Sequence, residues 1–332
     1  MEHLRHIRDF DQMKLLSDSR RLTILRLLMA EPATLTQLGE ILDEHPARVR
    51  HHVKLLEQAG LVEQVETRVV RGFIEKYYRS RARAFALQQI ILPASAENHR
   101  VTVMGSHDLA LELLAVKLRD ARQPSLDLFT LPVGSMEGLV ALRQGQAQIA
   151  GCHLFDPESG EYNLSFVRHL FPDRQIGLVT LAHRQQGLIV APGNPLGLRG
   201  VADLARPGVL LINRNRGSGT RLWLDQQLKQ LGLAAGQING YEREVRTHTA
   251  AAEVVRSGRA GVSIGLLAAA QRLDLEFVPL FEERFDLALS LADMDSALLQ
   301  PLFERLAEAD FLRQVEALGG YSTRCTGERR FP

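Results

Sequence analysis

Cysteine is scarce in this chain of 332 residues: Cys152 and Cys325 are the only two. Two thiols so far apart make neither a disulfide framework nor a zinc-ligand spacing. They read as reduced thiols of a cytoplasmic protein. No apolar run approaches the ~18 residues that a membrane span needs. The opening Met1-Glu2-His3-Leu4-Arg5-His6 lacks the apolar stretch of a secretory leader, so a cytoplasmic location is expected and a membrane partner is not. No Ser-His-Asp triad and no cluster of metal ligands stands out, which argues against an enzyme and against a bound metal or cofactor. Excess charge is also missing, with a formal net charge of +1.

What is present is a hydrophobic content of 45%, ordinary for a soluble globular protein, on a chain longer than one core usually serves. Two or three domains are therefore expected. The charge is unevenly spread. Residues 1–95 hold 15 basic and 12 acidic side chains, whereas residues 96–332 hold 25 and 27. From Pro46 to Arg83 there are 9 basic and 4 acidic residues, before His51 and His52 are counted. A local basic patch of this kind suits a nucleic-acid surface.

The N-terminal pattern agrees with that reading. Residues 10–30 carry the apolar periodicity of an amphipathic helix, ended by Glu31-Pro32. Leu35 to Leu42 is a short second helix, and Pro46 opens a third that Gly60 stops. Leu61 to Gln64 and Ile74 to Tyr78 are expected strands, with Arg68 to Gly72 as the tip between them. Helix, turn, helix and hairpin is the order of a winged helix-turn-helix, whose second helix enters the major groove of double-stranded DNA. Its polar face offers Arg48, Arg50, His51, His52 and Lys54, and the wing offers Arg68, Arg71 and Lys76, with Arg79 beyond. The plain alternative is a solvated helix face. Residues 84–99 read as a helix end and a short linker, dividing a unit of residues 1–95 from one of residues 100–332.

The segments Thr34 to Leu38 and His51 to Val62, followed by Arg71-Gly72-Phe73-Ile74-Glu75-Lys76-Tyr77-Tyr78, resemble the ArsR-type winged-helix repressors. The resemblance implies a homodimer on a palindromic operator, with the helix of residues 10–30 and the segment Arg81 to Leu92 as dimerising flanks. Founding members sense metals, but the first cysteine here is Cys152. His51 and His52 are adjacent on a helix and do not converge on one ion.

The second unit repeats itself. Gly105-Ser106-His107-Asp108 opens the apolar run Leu109 to Leu118, and Gly217-Ser218-Gly219-Thr220 opens the run Leu222 to Leu231. Each is followed by a matching phrase, Leu142-Arg143-Gln144-Gly145 in the first case and Val255-Arg256-Ser257-Gly258 in the second. Helix starts have unpaired N–H groups and favour negative charge, so the repeat points to two lobes that clamp a small anion. The alternative is that Ser106 and Ser218 are ordinary helix caps. Strands alternating with helices indicate a parallel α/β sheet with ligands at the carboxyl ends of its strands. That rule gathers Ser106, Ser135 and His153 at one edge. Gln175 to Ala191 reads as a crossing strand. Leu298 to Tyr321 reads as one amphipathic helix packed on the first lobe, and the residues after it as a loose tail.

These phrases, with Gly134-Ser135-Met136, Ala150 to Asp156, Arg184-Gln185-Gln186-Gly187-Leu188, Asn213 to Arg221, Gly240-Tyr241 and Thr247-His248, resemble the two-lobed periplasmic binding-protein fold. Within it they are similar to the molybdate-binding-protein-like domain, which also occurs fused to molybdenum-cofactor synthesis proteins. The resemblance implies Ser106, Ser135, Gly187, Ser218, Gly219 and Thr220 as ligand donors. Met136 and Asn213 lie in the matching phrases. The chain adds His107, His153, Arg184, Arg214, Arg216, Arg221 and His248 in the same pattern, with a plainly solvated side chain as the alternative for Arg216 and Arg221. Arginine suits phosphate or carboxylate as well as molybdate. The expected protein is thus a one-component regulator with an effector, molybdate or tungstate, and no cofactor. A pterin phosphate or nucleotide-like ligand stays open, as does a pterin-binding assembly protein that kept a DNA-binding domain.

Overall fold

Ile24, Leu25 and Leu28 of one helix, Leu38 of the next and Val49, Val53 and Leu56 of a third are buried together and close a small core. These belong to the first of two units in the computed structural model, residues 1–94 and 95–332. The structure describes residues 2–3, 5–7, 9–70, 72–87, 100–119 and 126–332. In the first unit the order is β1 Arg5–Ile7, α1 Phe10–Leu16, α2 Ser19–Ala30, β2 Ala33–Thr34, α3 Leu35–Leu42, α4 Pro46–Gln58, β3 Val62–Val70, β4 Phe73–Ser80 and β5 Phe85–Leu87.

The expected single helix over residues 10–30 is two helices. Asp18 breaks it by accepting hydrogen bonds from the N–H groups of Arg20 and Arg21, which makes it the cap of α2. Thr34 and Gln37 form a reciprocal capping box on α3, and Asp43 ends that helix in the left-handed region at φ 51°. His45 caps α4, with Pro46 in its first turn. The strands β2, β4 and β3 form one antiparallel sheet. The hairpin is longer than expected, so Arg68 sits within β3 rather than at the tip. At the expected helix end, Phe85–Leu87 is instead a strand paired parallel with β1, and residues 88–99 lie outside the described residues.

The second unit runs β6 Arg100–Gly105, α5 Leu109–Arg119, β7 Asp127–Pro132, α6 Ser135–Arg143, β8 Ile149–Cys152, α7 Leu164–Leu170, β9 Ile176–Val190, β10 Leu211–Arg214, α8 Gly219–Gln230, β11 Glu244–Val245, α9 His248–Arg256, β12 Val262–Leu266, α10 Leu267–Gln271 and β13 Glu276–Ser290. There follow α11 Leu291–Met294, α12 Gln300–Ala307, α13 Ala309–Ala317, β14 Tyr321–Ser322 and β15 Arg329–Arg330. Its sheet has the order β11-β10-β12-β9-β13-β8-β6-β7. The pairs β6-β7, β6-β8, β10-β11 and β10-β12 are parallel, as alternating strands and helices require. The sheet as a whole is mixed, because β9 and β13 run antiparallel to their neighbours.

These two 15-residue strands join the halves. The second half of β13 pairs with β8, and the second half of β9 pairs with β12. The residues midway along them therefore sit where the two halves meet. Two further expectations change at the C-terminus. Residues 298–321 form two helices, α12 and α13, whose Leu302, Leu306, Phe311 and Val315 share a core with Leu114 and Leu118 of α5. The tail is not loose: β14 and β15 both add to β9, and Tyr321 is buried.

Candidate functional site

On α4, Val49, Val53 and Leu56 recur at helical spacing and take the core side. Arg48, Arg50, His51 and Lys54 are left exposed on the other side. Arg48 reaches Glu44 at 3.5 Å. His52 is half-buried, and burial lowers its imidazole below the ordinary range against the pull of Asp18. In the wing, Lys76 is exposed. Arg68 grips Glu66 through two 2.7 Å hydrogen bonds and stacks on Tyr77, so its guanidinium is engaged within the hairpin. Arg71 lies outside the described residues. The sequence reading overlooked Val69, Phe73 and Ile74, which stand exposed near the wing tip.

In the second unit the carboxyl ends of β6 and β8 and the start of α6 bring three polar side chains together. Ser106 Oγ lies 3.1 Å from Ser135 Oγ and 2.9 Å from His153 Nε2. The His153 backbone N–H donates to Ser135 Oγ at 3.2 Å. Ser106 is not a helix cap. The helix begins three residues later, and Asp108 Oδ1 accepts the Leu111 N–H instead. Ser218 does cap α8, accepting from the Arg221 N–H, as the plain alternative had it.

The joining strands supply the charge. Arg184 and Gln186 alternate on one face of β9, as the two-residue period of a strand dictates. Arg184 Nε donates to Glu283 at 2.6 Å and its Nη1 donates to Asp108 at 2.6 Å. Gln186 donates to Glu283 and accepts from Thr220 Oγ1 at 3.0 Å. His153 Nδ1 stands 2.6 Å from the other Glu283 oxygen. Tyr321 O–H donates to Asp108 at 2.8 Å, so the tail closes this network from the far side.

Burial alone would raise the Glu283 carboxyl, but Arg184 and His153 outweigh it and hold it down to about 2. Burial opposes the Arg184 charge too, and Glu283 and Asp108 reverse that. Arg214 is different. It is buried, its Nη2 donates to the Arg246 carbonyl, and its Nε and Nη1 have no partner among the described residues. Burial and then repulsion from Arg184 push it down to about 9, against the pull of Glu283. Both ring nitrogens of buried His248 are unpartnered as well, and burial followed by Arg214 and Arg184 lowers it far below its ordinary value. Arg184 Nη2 and Asn215 Oδ1 are likewise buried without a partner among the described residues.

Other expected site residues have structural duties. His107 bonds Glu112 at 2.9 Å and faces the start of α9, where the His248 N–H points at it from 3.4 Å. Asn213 spans the Tyr241 carbonyl and the Arg214 N–H. Met136 packs on the apolar cluster around Leu139 and Leu154. Gly187 lies within the sheet, where the Val278 carbonyl would stand 2.2 Å from any Cβ. Gly219 is pressed against His153, whose carbonyl oxygen would be 2.4 Å from a Cβ. Arg216 is exposed and paired with Glu242. Arg221 is not solvated; it is buried, with its guanidinium 3.9 Å over Tyr241.

Asp108, Gln186, Asn215, Glu283 and Tyr321 are the site residues that sequence reasoning missed. A cavity of about 230 Å³ opens beside Ser106, bounded by Leu111, Glu112, Thr130, Leu131 and Thr247 among others. Among the described residues no group of three or more His, Cys, Asp or Glu side chains could hold a metal ion, and no helix is long and apolar enough to cross a membrane.

The chain is similar to known proteins in both units. A helix-turn-helix domain model matches residues 16–65, and a model of the PBP superfamily domain matches residues 117–307. YvgK, an uncharacterised protein of Bacillus subtilis, is 34% identical over 227 residues, 68% of this chain and 72% of its own length. An uncharacterised protein of Clostridium pasteurianum from the 5′ region of a ferredoxin gene is 33% identical over 106 residues, 32% of this chain and 94% of its own. Among solved structures, a tungstate ABC transporter protein of Geobacter sulfurreducens aligns at TM-score 0.48 and 12% identity, covering 66% of this chain and 98% of that one. An ABC-type phosphate transport receptor of Vibrio cholerae aligns at TM-score 0.44 and 16% identity, covering 67% and 98%. With more than half of its length matched by the one model and an ArsR-type helix-turn-helix ahead of it, the chain belongs to the PBP superfamily domain family.

Proposed function

We propose that this protein is a DNA-binding transcription regulator whose C-terminal domain senses a small oxyanion, molybdate or tungstate. It acts as a cytoplasmic homodimer on a palindromic operator. One observation carries the effector reading. Arg214 is a buried cation with two unpartnered nitrogens and, among the described residues, no ion pair with a carboxylate, Glu283 offsetting its burial only in part. Arg184 Nη2 and the ring of His248 are unpartnered nearby in the same charge network. Buried donors and an unpaired charge are costly when empty and match an anion that brings acceptors and negative charge together. Ser106, Ser135, Ser218, Gly219 and Thr220, at strand ends and helix starts, add neutral donors of the kind an oxyanion uses.

The strands β9 and β13, which join the halves, form the hinge of this reading, and closure about the ligand is the bistable element. The ligand shifts DNA affinity only by as much as it prefers one state. Thermal shift and calorimetry on the full-length protein test the assignment, with molybdate and tungstate expected to bind above sulfate and phosphate. Fluorescence anisotropy on the protein's own upstream DNA, with and without the anion, tests the regulator.

A second reading is a pterin phosphate or similar organic anion. It is favoured by the cavity beside Ser106, whose mixed apolar and polar walls suit an organic ring. If no inorganic oxyanion binds and a pterin or nucleotide does, the molybdate assignment is wrong.

A further inference from the structure

The hydroxyl groups of the site point the wrong way for a bare oxyanion. Glu283, ionised, can only accept, so the 2.6 Å contact obliges His153 Nδ1 to carry the proton. The ring is neutral, because burial lowers its proton affinity and Arg184 and Arg214 add to that. Its Nε2 is then an acceptor, and the 2.9 Å contact makes Ser106 the donor to it. With the Ser106 proton committed, the 3.1 Å contact between the serines makes Ser135 the donor to Ser106. The His153 backbone N–H already donates to Ser135. Both serine hydrogens are therefore spent inside the row, and each hydroxyl has only a lone pair left over. Ser135 gives up only its bond to Ser106 in turning its hydrogen outward, but Ser106 would leave the buried His153 Nε2 without a donor, so a fully deprotonated oxyanion, which offers only acceptors, meets an acceptor at Ser106.

We infer that a fully deprotonated oxyanion enters this cleft together with one proton, taken from solvent by His153 Nε2, so that Ser106 turns its O–H to the ligand. The inference rests on the oxyanion reading above. In the bound form imidazolium Nε2–H donates to Ser106 Oγ, and the ring stays paired with Glu283. An oxyanion that keeps a proton of its own, as hydrogenphosphate does, donates to the serine lone pairs and needs none from solvent. The row from Glu283 to Ser135 thus reads the protonation state of the ligand.

Every element packed on His153 bears on this balance. Glu283 on β13 favours the imidazolium. Arg184 on β9 and Arg214 on β10 oppose it. His248, at the start of α9, is neutral. Phe285 stacks on the ring, Gln186 shares Glu283, and the α8 start at Gly219 presses on the ring without a charge. The incoming anion tips this balance toward protonation. Because the free imidazole sits below its ordinary value, it is unprotonated at neutral pH. Affinity for a fully deprotonated anion then rises as pH falls, by up to about tenfold per pH unit while one proton is taken up.

The test is calorimetry of tungstate, molybdate and phosphate on the full-length protein at pH 7.5, in three buffers of different ionisation enthalpy. About one proton taken up with tungstate or molybdate, and close to none with phosphate, is the expected result. Tungstate or molybdate binding without proton uptake overturns this inference and leaves the oxyanion reading standing. Phosphate binding with a full proton taken up also overturns it. No heat with any of the three overturns the oxyanion reading and this inference with it. Nitrogen-15 NMR of histidine-labelled protein gives a readout that needs no binding-competent variant. One Nε2 should change from unprotonated to protonated on adding tungstate, and His153→Gln should remove that signal. A proton-uptake signal that persists in His153→Gln assigns the proton elsewhere and overturns it.

Discussion

Replacing Arg214 with methionine isolates the unpaired cation. The drop from an ordinary value of 12.5 to about 9 corresponds to a penalty of at most ~5 kcal/mol for keeping the charge in the ligand-free fold. Methionine keeps much of the stem volume and removes the charge. It also removes the hydrogen bond to the Arg246 carbonyl, at a cost of about 1 kcal/mol. The balance is a gain of roughly 2–4 kcal/mol without ligand, or roughly 5–15 °C in Tm for a domain of this size. The sign with pH follows from the depressed value. Above pH 9 the unfolded chain holds a proton that the native state releases, so wild-type stability recovers as pH rises from 9 toward 12.5. The gap between variant and wild type should therefore be full at pH 7 and narrower at pH 10. With an oxyanion at a thousandfold excess over Kd the ranking reverses, because wild type gains about 4.1 kcal/mol, at the top of the variant's advantage or above it, and Arg214→Met gains little. Differential scanning fluorimetry at both pH values, with and without tungstate, reads all of this. A ligand-free Arg214→Met that melts below wild type, or that keeps the ligand shift, would refute the reasoning.

The other expectations follow the same geometry. Glu283→Gln leaves a buried Arg184 with one carboxylate fewer and should cost about 3–5 kcal/mol in urea unfolding at pH 7. Since Glu283 is held from 4.5 down to about 2, its contribution is present above pH 4.5 and is lost as pH falls from there toward 2. The wild-type midpoint should fall more steeply than the variant's over that range. Gly219→Ala would set a Cβ 2.4 Å from the His153 carbonyl, so oxyanion binding measured by calorimetry should weaken at least tenfold while the helix-turn-helix unit keeps its DNA affinity. Arg50→Ala should weaken specific operator binding by about 1–3 kcal/mol in anisotropy titrations if Arg50 reads a guanine, and Arg71→Ala should weaken binding to all sequences and flatten the salt slope. Ultracentrifugation should find a homodimer, with footprints of two half-sites about one helical turn apart; a monomer with and without DNA would count against it.

The parts of the fold legible in the sequence were those set by neighbours along the chain. Pro46 and the spacing of Val49, Val53 and Leu56 sufficed for α4, because a helix is a local structure with one period. The division of residues 10–30 was missed for an equally local reason. Asp18 sits between two apolar runs and offers the backbone a cap that competes with a continuous helix, and the apolar period does not register it. The split of residues 298–321 is of the same kind, with Glu308 extended between α12 and α13.

The site divides along another line. Ser106, Ser135 and His153 could be grouped because each follows a strand that a helix follows, and parallel strands present their carboxyl ends together. Glu283 and Tyr321 obey no such rule. They reach the site through β13 and β14, which pair with β9 across about a hundred residues of chain or more, and a pairing that remote leaves no periodic trace near either partner. The one local sign was Phe281-Glu282-Glu283-Arg284-Phe285-Asp286, where three successive charges stand between two phenylalanines in what is otherwise a strand pattern. A carboxylate on the inward side of a buried strand needs a cation, and Arg184 was already in view on the crossing strand. Arg184 is in fact largely spent on Glu283 and Asp108, and Arg214 is the buried arginine that, among the described residues, has no ion pair of its own and is left to meet an anion.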